Sequence, residues 1–256
     1  RINTESRLPG FASLTRVRDY RLYQLSQSAN ADLYLSSPMT AEDIREFGAD
    51  TITVATGAKW QGDGTGSSNF DPLDLGSMTV LTPEGLLIEG RAPDDASPIV
   101  VYDDDHFYMA SALAEQLASA GHSVRYVTPL AQIATWTDLT LEQGKIIDRL
   151  VSLNVALSPN AKLEGGPKFT DTLTGQNLPF DLQTLVMVGM RQPRDQLYHD
   201  LIEMPSLGVV YCAGDCVTPG IIQAAVLSGH RIAREILDPE AASTALRRDQ
   251  IDQFCQ

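Results

Sequence analysis

Three consecutive carboxylates and an imidazole, Asp103-Asp104-Asp105-His106, follow directly on a short apolar run, Ile99-Val100-Val101-Tyr102. An amphipathic segment comes next, Phe107 to Ala120, closed by Gly121 and followed by a second apolar run, Ser123 to Val127. This order predicts a strand, a tight turn, a helix and a second strand, the opening of a βαβ unit. In dinucleotide-binding proteins such a turn is rich in glycine, which lets the backbone approach a pyrophosphate at the helix N-terminus. Here three carboxylates would repel the pyrophosphate, and their side chains would block its approach. The scaffold is that of a nicotinamide site, but the chemistry of that site is missing, so no NAD is expected. A divalent cation is not needed to explain the aspartates, because acidic groups stabilise a helix N-terminus by themselves. His106 is read as a helix cap or a surface residue.

Two further strand ends carry candidate binding residues. Thr53-Val54-Ala55-Thr56-Gly57-Ala58 is a strand ending in Ala-Thr-Gly. Val209 to Asp215 is a strand ending in Ala-Gly-Asp, followed by a long helical segment from Gly220 to Leu237. Either motif alone marks an ordinary turn; together, flanking the central βαβ segment, they are more specific. Trp60 follows the first motif closely enough to border a bound nucleotide, although packing is its simpler role.

The elements that must position these residues alternate strand and helix, which gives an α/β class. Arg18 to Ser26 reads as helix and Ala31 to Leu35 as strand. Thr40 caps a short helix through Asp43, and Gly48 ends it. Thr51 to Ala55 is a buried strand, residues 60–75 a loop, and Leu81 to Glu89 includes a short helix. Past Val127, a helix spans Leu139 to Leu153, a strand Val155 to Leu157, and a hairpin Ala161 to Asp181 turning at Thr174–Asn177. Leu185 to Val188 is a strand, Arg194 to Glu203 a helix, and Gly208 to Ala213 a strand. The expected domains are residues 1–94 with 193–256 as one lobe and an inserted lobe at 95–192.

Composition narrows the partners. The chain has 256 residues and a formal net charge of -14, which disfavours nucleic acid and anionic membranes. No apolar run approaches the ~20 residues that span a bilayer. Three cysteines, Cys212, Cys216 and Cys255, make a disulfide scaffold unlike the default, so a cytoplasmic location is expected. Cys212 and Cys216 read as small buried residues beside a turn, in preference to metal ligands or a redox pair. Arg16, Arg18 and Arg21, a cationic cluster in an acidic chain, are assigned to a domain interface. No Ser-His-Asp, Cys-His or paired-carboxylate arrangement is recognisable, so no catalytic residue is assigned.

The paired Ala-Thr-Gly and Ala-Gly-Asp motifs resemble those of the glutathione-reductase-like flavoproteins, which carry two dinucleotide-binding domains. Residues 18–21, 37–43 and 55–60, together with Val101 to His106 and the Gly229-His230-Arg231 helix, look more specifically like the C-terminal part of the trimethylamine/dimethylamine dehydrogenase family. The resemblance implies two Rossmann-like lobes of the FAD/NAD-binding type, the second inserted in the first. It implies an ADP site to which Thr56, Gly57, Gly214, Asp215 and Gly220 contribute. Complete members of that family add a TIM barrel with FMN and a 4Fe–4S segment, oxidatively demethylate or deaminate amines, and pass electrons to an electron-transfer flavoprotein; the substrate the resemblance implies here is a methylated amine or amino acid. This chain contains neither the barrel nor a cluster-binding cysteine run. The first lobe is therefore expected to be incomplete at its N-terminus, and the chain to be part of a larger polypeptide or to dock on a companion subunit, in a homo-oligomer. Two other readings stand beside this one: a module of an NAD(P)H-dependent reductase of the dienoyl-CoA reductase type, and a non-catalytic subunit for assembly or for docking the electron acceptor.

Overall fold

The computed structural model describes residues 1–93, 98–205 and 207–237. The chain forms two compact units. One comprises residues 1–34 and 60–191, the other residues 35–59 and those described from 192 onward.

The larger unit is built on a five-stranded parallel sheet. In chain order its helices and strands begin with α1 (Ile2–Glu5) and α2 (Thr15–Gln27), the latter preceded by a 3-10 turn at Ala12–Leu14. In the smaller unit follow α3 (Ala41–Phe47) and β1 (Thr51–Val54), and then β2 (Ala58–Trp60), through which the chain re-enters the larger one. Next come β3 (Thr79–Leu81), α4 (Pro83–Leu87), β4 (Ile99–Asp103), α5 (Tyr108–Ser119) and β5 (Val124–Val127). After a 3-10 segment at Thr135–Thr140 the chain forms α6 (Gln143–Ser152), β6 (Ala156–Ser158), β7 (Ala161–Gly165), β8 (Lys168–Asp171), β9 (Asn177–Pro179) and β10 (Thr184–Val188). β11 (Arg191–Pro193) leads back to the smaller unit, which ends in α7 (Gln196–Ile202), β12 (Val209–Cys212) and α8 (Ile222–Leu237).

The sheet order is β3-β10-β4-β5-β6. β10 pairs in parallel with both β3 and β4, the latter in the register Thr184–Ile99 to Val188–Asp103. The two central strands, Ile-Val-Val-Tyr-Asp and Thr-Leu-Val-Met-Val, are buried at every position. That is the expected composition of a parallel sheet covered on both faces. Strand alternation then divides the core. Ile99, Val101, Val186 and Val188 join Leu113, Tyr126 and Leu150 on the face covered by α5 and α6. Val100, Tyr102, Leu185 and Met187 join Leu163 and Phe169 on the face covered by β7, β8 and β9.

In the smaller unit β1 and β12 pair in parallel, from Thr51–Val209 to Val54–Cys212. Ile52 and Val54 pack with Leu201 and Cys216, and α3 and α7 contribute Ile44, Leu197 and Tyr198. Thr40 and Asp43 form the expected capping box, and Gly48 ends α3 in the left-handed region at φ 73°.

Several expectations change. The segment Ala31–Leu35 forms no strand; residues 31–34 have no regular structure, because no strand among the described residues lies beside them to complete a ladder. The expected hairpin is a three-stranded antiparallel sheet, β7-β8-β9. The turn expected at Thr174–Asn177 falls at its second reversal, between β8 and β9; the first, not expected, is at Gly165-Gly166, both at positive φ. The lobe boundary also moves. Residues 1–34 and 60–93 group with the central segment and not with the outer lobe. The reason is β3: its backbone ladder to β10 ties residues 79–81 into the larger sheet, whereas the sequence cut was placed at the polar stretch near residue 94.

Candidate functional site

At the C-terminal edge of the large sheet the acidic turn is folded inward. Asp103 is the last residue of β4 and is fully buried. One carboxylate oxygen accepts the backbone N–H of His106 at 2.8 Å, and the other accepts the hydroxyl of Tyr126. His106 sits at φ 61°, and α5 begins two residues later with Phe107, not His106, at its N-cap position. His106 is therefore neither a cap nor a surface residue. It is buried, with Nε2 2.9 Å from the Ser67 hydroxyl and 3.4 Å from the Asp104 carboxylate. The sequence reading placed it wrongly because three neighbouring carboxylates make a turn look solvated.

Asp104 explains the inward fold. Its carboxylate accepts the Ser67 hydroxyl at 2.9 Å, the Ser68 N–H at 3.0 Å and the Ser68 hydroxyl at 2.6 Å. These donors belong to the loop Asp63–Asn69, which lies over the ends of β4 and β10. Met190 donates its N–H to Thr65 O at 3.0 Å, and Asn69 donates its amide to Leu163 O at 3.1 Å. The fit is close: a Cβ on Gly66 would stand 2.0 Å from Asp104 Oδ2, and one on Gly189 would stand 2.7 Å from Thr65 O. The space over the turn, where a dinucleotide would approach the first helix of such a unit, is filled by the chain's own loop.

The electrostatics follow from this burial. Burial pushes the Asp103 carboxyl up to about 7, against the opposing pull of His106 and Tyr126. Burial also raises Asp104, but its hydrogen bonds to His106, Ser68 and Ser67 outweigh that and hold it below the usual carboxylate range. Desolvation lowers His106, yet the Asp104 hydrogen bond and the surrounding aspartates raise it above its ordinary value. Among the described residues no group of three His, Cys, Asp or Glu side chains is arranged to hold a metal ion.

The second candidate site lies at one edge of the smaller unit. Because β1 and β12 are parallel and Val54 is level with Cys212, both chains leave their strands at the same end. Ala213 donates its N–H to Val54 O at 2.8 Å, fastening the two exits together. Thr56 donates its hydroxyl to Arg194 O, and Gly57, at φ 78°, accepts the Arg194 N–H at 2.9 Å. Gly214 adopts φ 72° and donates its N–H to the Ser228 hydroxyl of α8 at 3.0 Å. Asp215 accepts the Gly220 N–H at 3.2 Å, and α8 starts two residues beyond, its positive end toward this edge.

The structure thus brings Thr56, Gly57, Gly214, Asp215 and Gly220 to one edge. Trp60 belongs to the larger unit. That ring is buried in the core of the larger unit, with the Arg191 guanidinium 5.1 Å from its centroid. The residues missed by the sequence reading are Ser67 and Ser68. Their signal was a run of small residues, Gly64 to Asn69, that reads equally well as an ordinary loop. Arg18, from the cationic cluster, pairs with Asp19 and with Asn3.

Comparisons with known proteins give this arrangement a context. Residues 81–162 match the OYE-like second α/β domain. Dimethylamine dehydrogenase from Hyphomicrobium sp. (strain x) is 30% identical over 276 residues, covering 93% of this chain and 37% of that protein. Histamine dehydrogenase from Rhizobium sp. 4-9 is 37% identical with a TM-score of 0.88, over 92% of this chain and 38% of that one. The chain is homologous to amine dehydrogenases. A further relative, 6-hydroxypseudooxynicotine amine oxidase from Pseudomonas geniculata N1, is 36% identical with a TM-score of 0.84, over 90% of this chain and 35% of that one. These amine dehydrogenase homologues are oxidoreductases, and the chain spans little more than a third of their length. No helix among the described residues is long and apolar enough to cross a membrane.

Proposed function

We propose that this chain is the C-terminal, ADP-binding and structural part of an FMN and 4Fe–4S oxidoreductase that oxidatively demethylates a methylated amine or amino acid. The observation that carries the reading is the similarity to amine dehydrogenases along more than nine-tenths of the chain. FMN and the iron–sulfur cluster would supply the redox chemistry from the remainder of the enzyme, and an electron-transfer flavoprotein would accept the electrons. The likeness to dimethylamine and histamine dehydrogenases supports a small amine as substrate. A companion segment or subunit, assembly as a homo-oligomer, and a cytoplasmic location belong to the same reading.

In this proposal the edge at Thr56, Gly57, Gly214, Asp215 and Gly220 binds the ADP. Gly214 and Gly57 leave the approach free of side chains, and the α8 N-terminus favours the negative phosphates. Asp215 fixes the turn through the Gly220 N–H and orients the amides that follow. Trp60, buried in the other unit, is left out of the site. The acidic turn after β4 takes no part in nucleotide binding, since Asp104 and the Asp63–Asn69 loop fill it. That loop is also what favours amine dehydrogenation over the NAD(P)H-dependent reductase alternative.

The test uses the full-length protein. ADP is expected to raise its melting temperature, as a ligand of the folded state must, and NADH is expected to leave the flavin oxidised in stopped flow. A methylated amine or amino acid is expected to reduce it. Rapid reduction by NADH would sink the assignment. Absence of any ADP effect would leave the purely structural reading in its place.

A further inference from the structure

Cys212 closes β12, and the turn Ala213-Gly214-Asp215 returns the chain so that Cys216 stands beside it. The positive φ of Gly214 permits so short a return. The two sulfurs are 3.0 Å apart, within about 1 Å of a disulfide bond length. Cys216 is buried, and its thiol donates toward Ala213 O at 2.9 Å and Val54 O at 3.3 Å. Cys212 is partly exposed. The pair thus consists of one reachable thiol and one held thiol, already facing each other.

We propose that Cys212 and Cys216 form a reversible disulfide that closes the Ala213–Asp215 turn, with a low-molecular-weight disulfide such as oxidised glutathione as the oxidant. Cys212 gives its proton to solvent and its sulfur attacks one sulfur of the glutathione disulfide, expelling one glutathione thiolate. Cys216 then gives up its proton, and its sulfur attacks the Cys212 sulfur of the mixed disulfide and expels the second thiolate. The dithiol loses two protons and two electrons, and the glutathione disulfide takes them up to become two thiols.

The chemistry around the pair sets its character. Burial, the neighbouring Cys216 and the carboxylate of Asp195 push the Cys212 thiol up to about 12. The first attack is therefore slow at neutral pH. The same surroundings leave the thiolate unstabilised, which favours the closed pair at equilibrium over the open one, the reverse of a strongly oxidising pair. Cys255, the remaining cysteine, lies outside the described residues.

The experiment treats the full-length protein with excess oxidised glutathione or with dithiothreitol, blocks free thiols at acid pH, and maps the peptides by mass spectrometry. Oxidised protein is expected to yield residues 212 and 216 unalkylated and linked, lighter by two hydrogens, and fully alkylated after reduction. Cys216→Ser is expected to accumulate a glutathione adduct on Cys212 instead, and Cys255→Ser to keep the link. Full alkylation of both residues after oxidation, or a link from either to Cys255, would overturn the proposal. Because the readout is covalent, its failure is distinct from failure of the ADP reading.

Discussion

Two strand ends in this chain share a plan and differ in what occupies them. The turn after β4 is packed: Asp103, Asp104 and His106 are buried, and a loop from some forty residues upstream in sequence lies over them. At the turn after β12, Gly214, Asp215 and Gly220 are only half-buried. Both turns follow a parallel strand and precede a helix. What distinguishes them is where hydrogen-bond donors are used. At β4 the donors of Ser67 and Ser68 go to an internal carboxylate; at β12 the adjoining carboxylate of Asp215 accepts the Gly220 N–H and so fixes the turn before α8. A strand end becomes a binding site when its edge is left open, so topology alone does not decide function.

The strongest way to break the contrast is to remove the carboxylate that holds the packed end. Asp104→Ala removes the acceptor of the Ser68 N–H and hydroxyl and the carboxylate beside His106, and leaves Ser67 only its His106 contact. It is expected to cost about 3 kcal/mol, the penalty for orphaning a buried, charge-assisted network. Urea unfolding reads this as a lower midpoint at unchanged slope. Asp104→Asn keeps one acceptor oxygen and is expected to cost less. Equal stability of Asp104→Ala and the wild type would show that the loop is not held by this residue.

One added methyl group at each end tests the difference in packing. Gly66→Ala would drive a Cβ to 2.0 Å from Asp104 Oδ2, so the loop must lift, at a cost of about 2 kcal/mol. Gly214→Ala meets nothing nearer than the Ala225 Cβ at 3.6 Å and pays only the strain of φ 72°, about 1 kcal/mol. Thermal unfolding of both variants should rank them in that order, and the reverse ranking would contradict the packed-against-open picture.

What the sequence discloses follows the range of the forces involved. The central strands were legible because Ile99–Tyr102 and Leu185–Val188 are unbroken apolar runs, the mark of strands buried on both faces. Helix α3 was legible because Thr40, Asp43 and Gly48 are local signals. The closure over β4 was not, because Ser67 and Ser68 bind a partner 36 or 37 residues away, and no local pattern encodes such a pairing. The failed strand at Ala31–Leu35 teaches the same lesson, since a strand needs a neighbour and its own composition cannot supply one. At the open edge, Ala-Thr-Gly and Ala-Gly-Asp could be singled out as motifs. Their adjacency depends on β1 pairing with β12 across more than 150 residues.

Acidity separates the two ends by a smaller effect. His106 has a folded value raised above the ordinary 6.5, so its contribution to stability is complete below 6.5 and is lost as pH rises through the folded value. Asp103 acts in the same direction. Raised from 3.8 to about 7, it keeps its proton in the fold and opposes folding increasingly as pH climbs through that interval. Asp104, lowered, contributes above 3.8 and loses its contribution only as pH falls through its depressed value. Stability should therefore decline from about pH 4 to pH 7 through Asp103, and further above pH 6.5 through His106. His106→Asn, which tolerates the positive φ, should flatten that decline. A His106→Asn profile parallel to the wild type would remove His106 from the account.

The smallest expected change in stability is at the open end. Asp215→Ala removes a partly exposed acceptor of the Gly220 N–H, at about 0.5 kcal/mol. If this edge binds ADP as proposed, the same substitution should weaken ADP about tenfold, equivalent to about 1.4 kcal/mol, because the turn that orients the amides toward the phosphates is loosened. The two readouts move apart only if Asp215 serves a ligand. Calorimetric titration of ADP into the full-length protein, beside the melting temperature of the ligand-free variant, makes the separation visible. An unchanged ADP affinity would mean that the edge is open for some other reason, and that openness alone, without the Asp215 turn behind it, does not make a nucleotide site.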